Sequence, residues 1–95
     1  MATYIMLSTL TDEGRKTLKE RPERLQEVNR EIEAMGARVT QQYAVLGGYD
    51  FVNIIEAPDA SAIAKVSVAL GARGSVHTES YEMLEVDDLL SLLAE

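Results

Sequence analysis

Apolar and polar residues follow two different periods along this chain, and the changes of period mark out the elements. Residues 3–9, Thr-Tyr-Ile-Met-Leu-Ser-Thr, are short, apolar and free of charge, which predicts a strand in the interior of a sheet. On such a strand Ile5 and Leu7 point one way while Tyr4 and Met6 point the other. Thr11 then opens Thr-Asp-Glu-Gly, where its hydroxyl can cap a helical turn with Asp12 and Glu13 at the positive end. Gly14 is expected to weaken that turn. The longest helical pattern is the stripe Leu18, Leu25, Val28, Ile32 and Met35, with Lys, Arg and Glu on the opposite side. Pro22 suits the first turn of the main helix and leaves 11–20 as a separate short segment; Gly36 ends the helix.

Residues 38–46 and 49–57 are rich in strand formers and flank Gly47-Gly48, which predicts a hairpin with a two-residue turn. Its register places Leu46 opposite Tyr49, Val45 opposite Asp50, Ala44 opposite Phe51 and Tyr43 opposite Val52. One face then carries Gln41, Tyr43, Val45, Asp50, Val52, Ile54 and Glu56. The other carries Gln42, Ala44, Leu46, Tyr49, Phe51, Asn53 and Ile55. Both faces are apolar in the middle, the pattern of a sheet with helices on one side and a second subunit on the other. The row Tyr49, Phe51, Asn53 and Ile55 is expected to be the uncovered one, because an amide such as Asn53 is better tolerated at an interface than beneath helices.

After Pro58, Asp59 or Ser61 can cap a second helix reaching about Leu70, with Ile63, Val66 and Leu70 on its packing side. Gly71 and Gly74 close it, residues 75–85 read as the fourth strand, and 86–94 as a short helix whose leucines need cover. The result is an α+β chain with a split βαβ pattern, βαββαβ, as one domain over 1–95. Its four-stranded antiparallel sheet has order 4-1-3-2 and helices on one face.

Charge and composition narrow the function classes. The net charge of -7 falls wholly in the second half: residues 1–47 hold seven acids and seven bases, whereas 48–95 hold nine acids against Lys65 and Arg73 alone. That field repels phosphate backbones, and no basic stripe is interleaved with aromatic residues, so nucleic acid is not an expected partner. The absence of cysteine removes disulfides, thiolate metal sites and a cysteine nucleophile. No apolar run has the roughly 18 residues of a membrane span, and the start lacks a signal-peptide pattern, so a cytoplasmic protein without membrane contact is expected.

The segment Leu46-Gly-Gly-Tyr-Asp-Phe-Val-Asn-Ile-Ile-Glu-Ala-Pro-Asp59 resembles the GYD domain family, named for the Gly-Tyr-Asp found here at Gly48, Tyr49 and Asp50. The likeness extends to Leu10-Thr11 and Gly14, to Pro22-Glu23-Arg24, and to Gly74-Ser75-Val76-His77-Thr78-Glu79. It implies a ferredoxin-like fold of the dimeric α+β barrel kind.

Six residues are candidates for a ligand site: Arg24, Tyr43, Tyr49, Asp50, Asn53 and His77. Tyr49 and Asp50 can serve simply as strand-start area and turn acceptor, or Asp50 can act as acceptor or base with Tyr43 on its face. His77, the one histidine, shares a face with Glu79 and Tyr81, but one histidine and a carboxylate do not make a metal motif. Arg24 can clamp an anion or pair with Glu20 on a continuous helix. No phosphate-cradling loop or nucleophile elbow is present, and no cofactor is implied. The favoured reading is an oligomeric module, a homodimer or higher, that binds a small molecule or a partner. The alternative is a cofactor-independent oxygenase or isomerase with Asp50 or His77 as proton carrier.

Overall fold

A computed structural model describes residues 1–94. The elements run β1 (Ala2–Leu10), α1 (Asp12–Glu20), α2 (Arg24–Ala34), β2 (Arg38–Ala44), β3 (Phe51–Ala57), α3 (Ala60–Gly71), β4 (Val76–Glu82) and α4 (Val86–Leu93). The four strands form one antiparallel sheet in the order β2-β3-β1-β4, the same order as 4-1-3-2 read from the other edge. The long apolar β1 lies inside, paired on both sides.

The helix caps follow the local sequence. Thr11 is extended, and its Oγ1 accepts from the Gly14 amide at 3.1 Å. Asp59 does the same for the Ala62 amide at 3.0 Å. Pro22 sits in the turn before α2, where its carbonyl accepts the Leu25 amide. α1 runs nine residues, through Gly14. A Cβ at Gly14 would lie 2.0 Å from the Ser75 carbonyl oxygen, so glycine is what lets α1 approach the start of β4. The same junction is stitched by the Thr11 amide to the Ser75 carbonyl and the Thr11 hydroxyl to the Gly74 carbonyl.

The hairpin departs from the two-residue turn. The pairs Ala44–Phe51, Tyr43–Val52, Gln42–Asn53 and Gln41–Ile54 hold, and a bulge at Thr40 then shifts the register so that Val39 meets Ile55. The strands stop at Ala44 and Phe51, with the Val45 amide donating to the Asp50 carbonyl. Leu46 therefore lies in the loop, fully exposed, and has no partner in Tyr49. A type I′ turn needs positive φ at both central residues, but of Gly47 and Gly48 only Gly47 has it, at +154°.

One face of the sheet makes the core. Tyr4, Met6, Ile55 and Ala57 pack with Ile32 and Ala37 and with the α3 residues Ile63, Val66 and Leu70. The expected choice of open face is thus reversed: Asn53 and Ile55 lie under the helices, and Phe51 shares their side. The amide is accommodated because its neighbours supply every bond it needs. Asn53 Nδ2 donates to the Met6 carbonyl at 2.9 Å and to Ser8 Oγ at 2.8 Å, while Oδ1 accepts from Gln42 Nε2 at 2.7 Å.

Candidate functional site

Two features stand apart from ordinary packing: the sheet face opposite the helices, and a cavity beneath them. The register aligns Tyr43, Val52, Leu7 and Glu79 across the open face, and beside them Gln41, Ile54, Ile5 and Tyr81. Leu7, Val52, Ile5 and Ile54 are only half-buried, shielded by their strand neighbours, and Tyr43 and Tyr81 are 55% and 52% exposed. A sheet face turned to water normally carries polar residues; this one has an aliphatic centre framed by tyrosines. Beyond β4, Met83, Leu84, Val86, Leu89, Leu90, Leu92 and Leu93 are also exposed, and α4 packs extensively against no other element.

Three of the six predicted site residues, Tyr43, Tyr49 and His77, belong to this side, and Asp50 lies at its end. Tyr49, just before β3, reaches across β1 to donate its hydroxyl to Glu79 on β4. Hydrogen bonding to that carboxylate, and its charge, push the Tyr49 phenol above its usual range. Asp50 Oδ2 accepts the Leu10 amide at 2.7 Å and lies 3.9 Å from Arg15 Nη2, while the Asp50 amide donates to the Ser8 carbonyl. Asp50 therefore fastens the hairpin to the end of β1. His77 is exposed on β4 opposite Thr9. Asp50 precedes β3 and His77 lies on β4, on opposite sides of β1, and the Asp50 carboxylate accepts from β1 rather than from His77. Among the described residues, no group of three His, Asp or Glu side chains converges as a metal site.

The other two, Arg24 and Asn53, line a cavity of about 120 Å³ between the sheet and α1, α2 and α3. Its walls include Met6, Leu18, Leu25, Val28, Phe51 and Leu70. Its floor is the amide chain Asn53–Gln42–Asn29, in which Asn29 and Gln42 exchange hydrogen bonds at 2.9 and 3.3 Å. Arg24 does not pair with Glu20. Its Nη1 donates to Glu31 at 2.9 Å and Glu27 at 3.2 Å, Arg21 also holds Glu27, and Arg73 forms a close ion pair with Glu31. The Arg24 bond, aided by Arg73, holds the Glu31 carboxyl below the usual carboxylate range despite partial burial. Arg24 is held protonated by the same two carboxylates.

Sequence reasoning missed Gln42, Asn29, Glu31 and Arg73 as site residues. Gln42 carried a usable signal, since the hairpin register already set it beside Asn53. Glu31 and Arg73 meet only through tertiary packing.

The model of the GYD domain family matches residues 4–93. The chain belongs to the GYD domain family. It is 53% identical over 94 residues to the "Glutamine synthetase and cystathionine beta-lyase binding protein" of Thermus thermophilus, covering 98% of this chain and 99% of that one. Among solved structures it resembles MtbAldR, with a TM-score of 0.66, 15% identity and 87% of this chain covered; the match spans 51% of MtbAldR. It also resembles TTHA0845 of Thermus thermophilus, with a TM-score of 0.54, 24% identity, and 90% and 95% of the two chains covered. These structural likenesses concern the fold. No helix among the described residues is long and apolar enough to cross a membrane.

Proposed function

We propose that this GYD domain is a homo-oligomeric protein-binding module that self-associates through its open sheet face and docks metabolic enzymes. The carrying observation is that face: an aliphatic strip of Ile5, Leu7, Val52 and Ile54, rimmed by Tyr43 and Tyr81, with no helix over it. Protein contacts are enriched in aromatic residues and have an apolar core, which this strip with its tyrosines supplies. Exposure of such a strip in a chain of 95 residues is relieved when a second copy covers it. The Thermus relative's name supports glutamine synthetase or cystathionine β-lyase as the further partner.

The enzyme reading has less support. Asp50 is engaged by the Leu10 amide, and His77 stands two strands away. The direct test is co-elution of the purified chain with glutamine synthetase and with cystathionine β-lyase, alongside native mass spectrometry of the chain alone. The reading expects a homo-oligomer and a complex with at least one enzyme; a monomer that binds neither enzyme overturns it.

A further inference from the structure

We propose that the cavity beneath α1, α2 and α3 binds a small uncharged molecule, about one aromatic ring in size, with an apolar body and at most one hydrogen-bond donor. Protein interiors are close-packed, with few voids larger than a water molecule, so a space of about 120 Å³ in so small a domain is a departure from ordinary packing. Most of its wall is hydrocarbon from Met6, Leu18, Leu25, Val28, Phe51 and Leu70. The polar groups gather on the floor and rim, so the hydrocarbon part of the wall is what an apolar ligand body covers, as benzene does in cavities of roughly 150 Å³ lined by hydrocarbon alone.

The floor decides which end of a ligand faces inward. Asn53 Nδ2 lies against the Met6 carbonyl and Ser8 Oγ, which fixes the amide orientation and uses both of its hydrogens. Gln42 Nε2 likewise gives its two hydrogens to Asn53 Oδ1 and Asn29 Oδ1. These two residues keep only acceptor lone pairs, so a hydroxyl or ring N–H is the group that matches them. The rim decides charge. Arg24 and Arg73 border the cavity, but both are engaged by Glu27 and Glu31, so an incoming carboxylate meets compensated cations and nearby like charge. Phenol and indole fit these requirements; benzoate, with as many heavy atoms as indole but a full negative charge, does not.

Phenol, indole and benzoate titrated into the ¹⁵N,¹³C-labelled chain, read by amide and methyl shifts, test this. Saturable shifts centred on Met6, Val28 and Leu70 are expected, with benzoate at least tenfold weaker than phenol. Val28→Phe, which fills the space, is expected to weaken phenol at least tenfold; Thr17→Leu at the cavity wall provides a second filling variant if Val28→Phe does not fold. The proposal is overturned by absence of saturable shifts at millimolar phenol and indole, by shifts confined to the Tyr43–Tyr81 face, by benzoate binding as tightly as phenol, or by a folded filling variant that binds phenol unchanged.

Discussion

The two faces of the sheet are built from alternate residues of the same strands, yet they differ in what surrounds them. On the helix side, Met6 and Ile55 are almost fully buried, and the polar residues Ser8 and Asn53 are satisfied by one another, by Gln42 and by the main chain. On the open side, Ile5, Leu7, Val52 and Ile54 are as aliphatic as the core but only half-buried. Apolar character therefore does not say which face a helix will cover. Covalent connection through α1, α2 and α3 does, and the face left over retains a composition suited to contact with another chain.

Neighbouring residues on β3 separate the faces most sharply. Ile55→Ala opens a hole in the core and should cost about 2–5 kcal/mol of folding stability in denaturant titration. Ile54→Ala, one residue away, should cost the isolated chain much less and act mainly on self-association. Equal losses in the two variants of a monomeric chain would erase the distinction.

The polar part of the covered face carries the next effect. Asn53→Ala strands the Met6 carbonyl, Ser8 and Gln42 without their partner, for an expected loss of about 1–3 kcal/mol. Loss of stability well below that would mean the amide chain relaxes at little cost.

The smallest effect is a pH dependence at the rim of the covered side. Glu31 has its pKa lowered by Arg24 and Arg73, so its contribution is fully present above the ordinary glutamate value of 4.5 and is lost as the pH falls through the depressed value. The Glu31 side chain is 35% exposed, so solvent screening should keep the contribution below about 1 kcal/mol. Glu31→Gln should flatten the stability profile below pH 4.5 relative to the parent chain; parallel profiles would remove Glu31 from the acid response.

Much of the fold was legible because it rests on local signals. The stripe from Leu18 to Met35, the caps at Thr11 and Asp59, and the pairing of Tyr43 with Val52 follow from spacing and side-chain chemistry that the structure retains. The turn was not legible because paired glycines permit a tight primed turn without requiring one, and here the closing bond from Val45 to Asp50 leaves a longer loop. The open face was obscured by Asn53: a lone buried amide is unfavourable, but Gln42, Ser8 and the Met6 carbonyl come from two strands and remove that cost. Of the candidate site residues, Tyr43, Tyr49 and His77 share the open side, Tyr49 against the expected alternation with Phe51; Asp50 fastens the hairpin to the end of β1, and Arg24 and Asn53 line the cavity. Nothing in linear spacing could place Arg73 against Glu31, since the α3–β4 turn must first fold back beside α2.

The central claim is that the Ile5–Leu7–Val52–Ile54 face joins copies of this chain. Sedimentation equilibrium of the parent chain and of Ile54→Asp, with circular dichroism to confirm that both are folded, tests it most directly. The account predicts a dimer or higher oligomer for the parent and a folded monomer for Ile54→Asp, because an unpaired carboxylate cannot be buried in a dry contact. A monomeric parent, or a folded Ile54→Asp chain of unchanged mass, would contradict it.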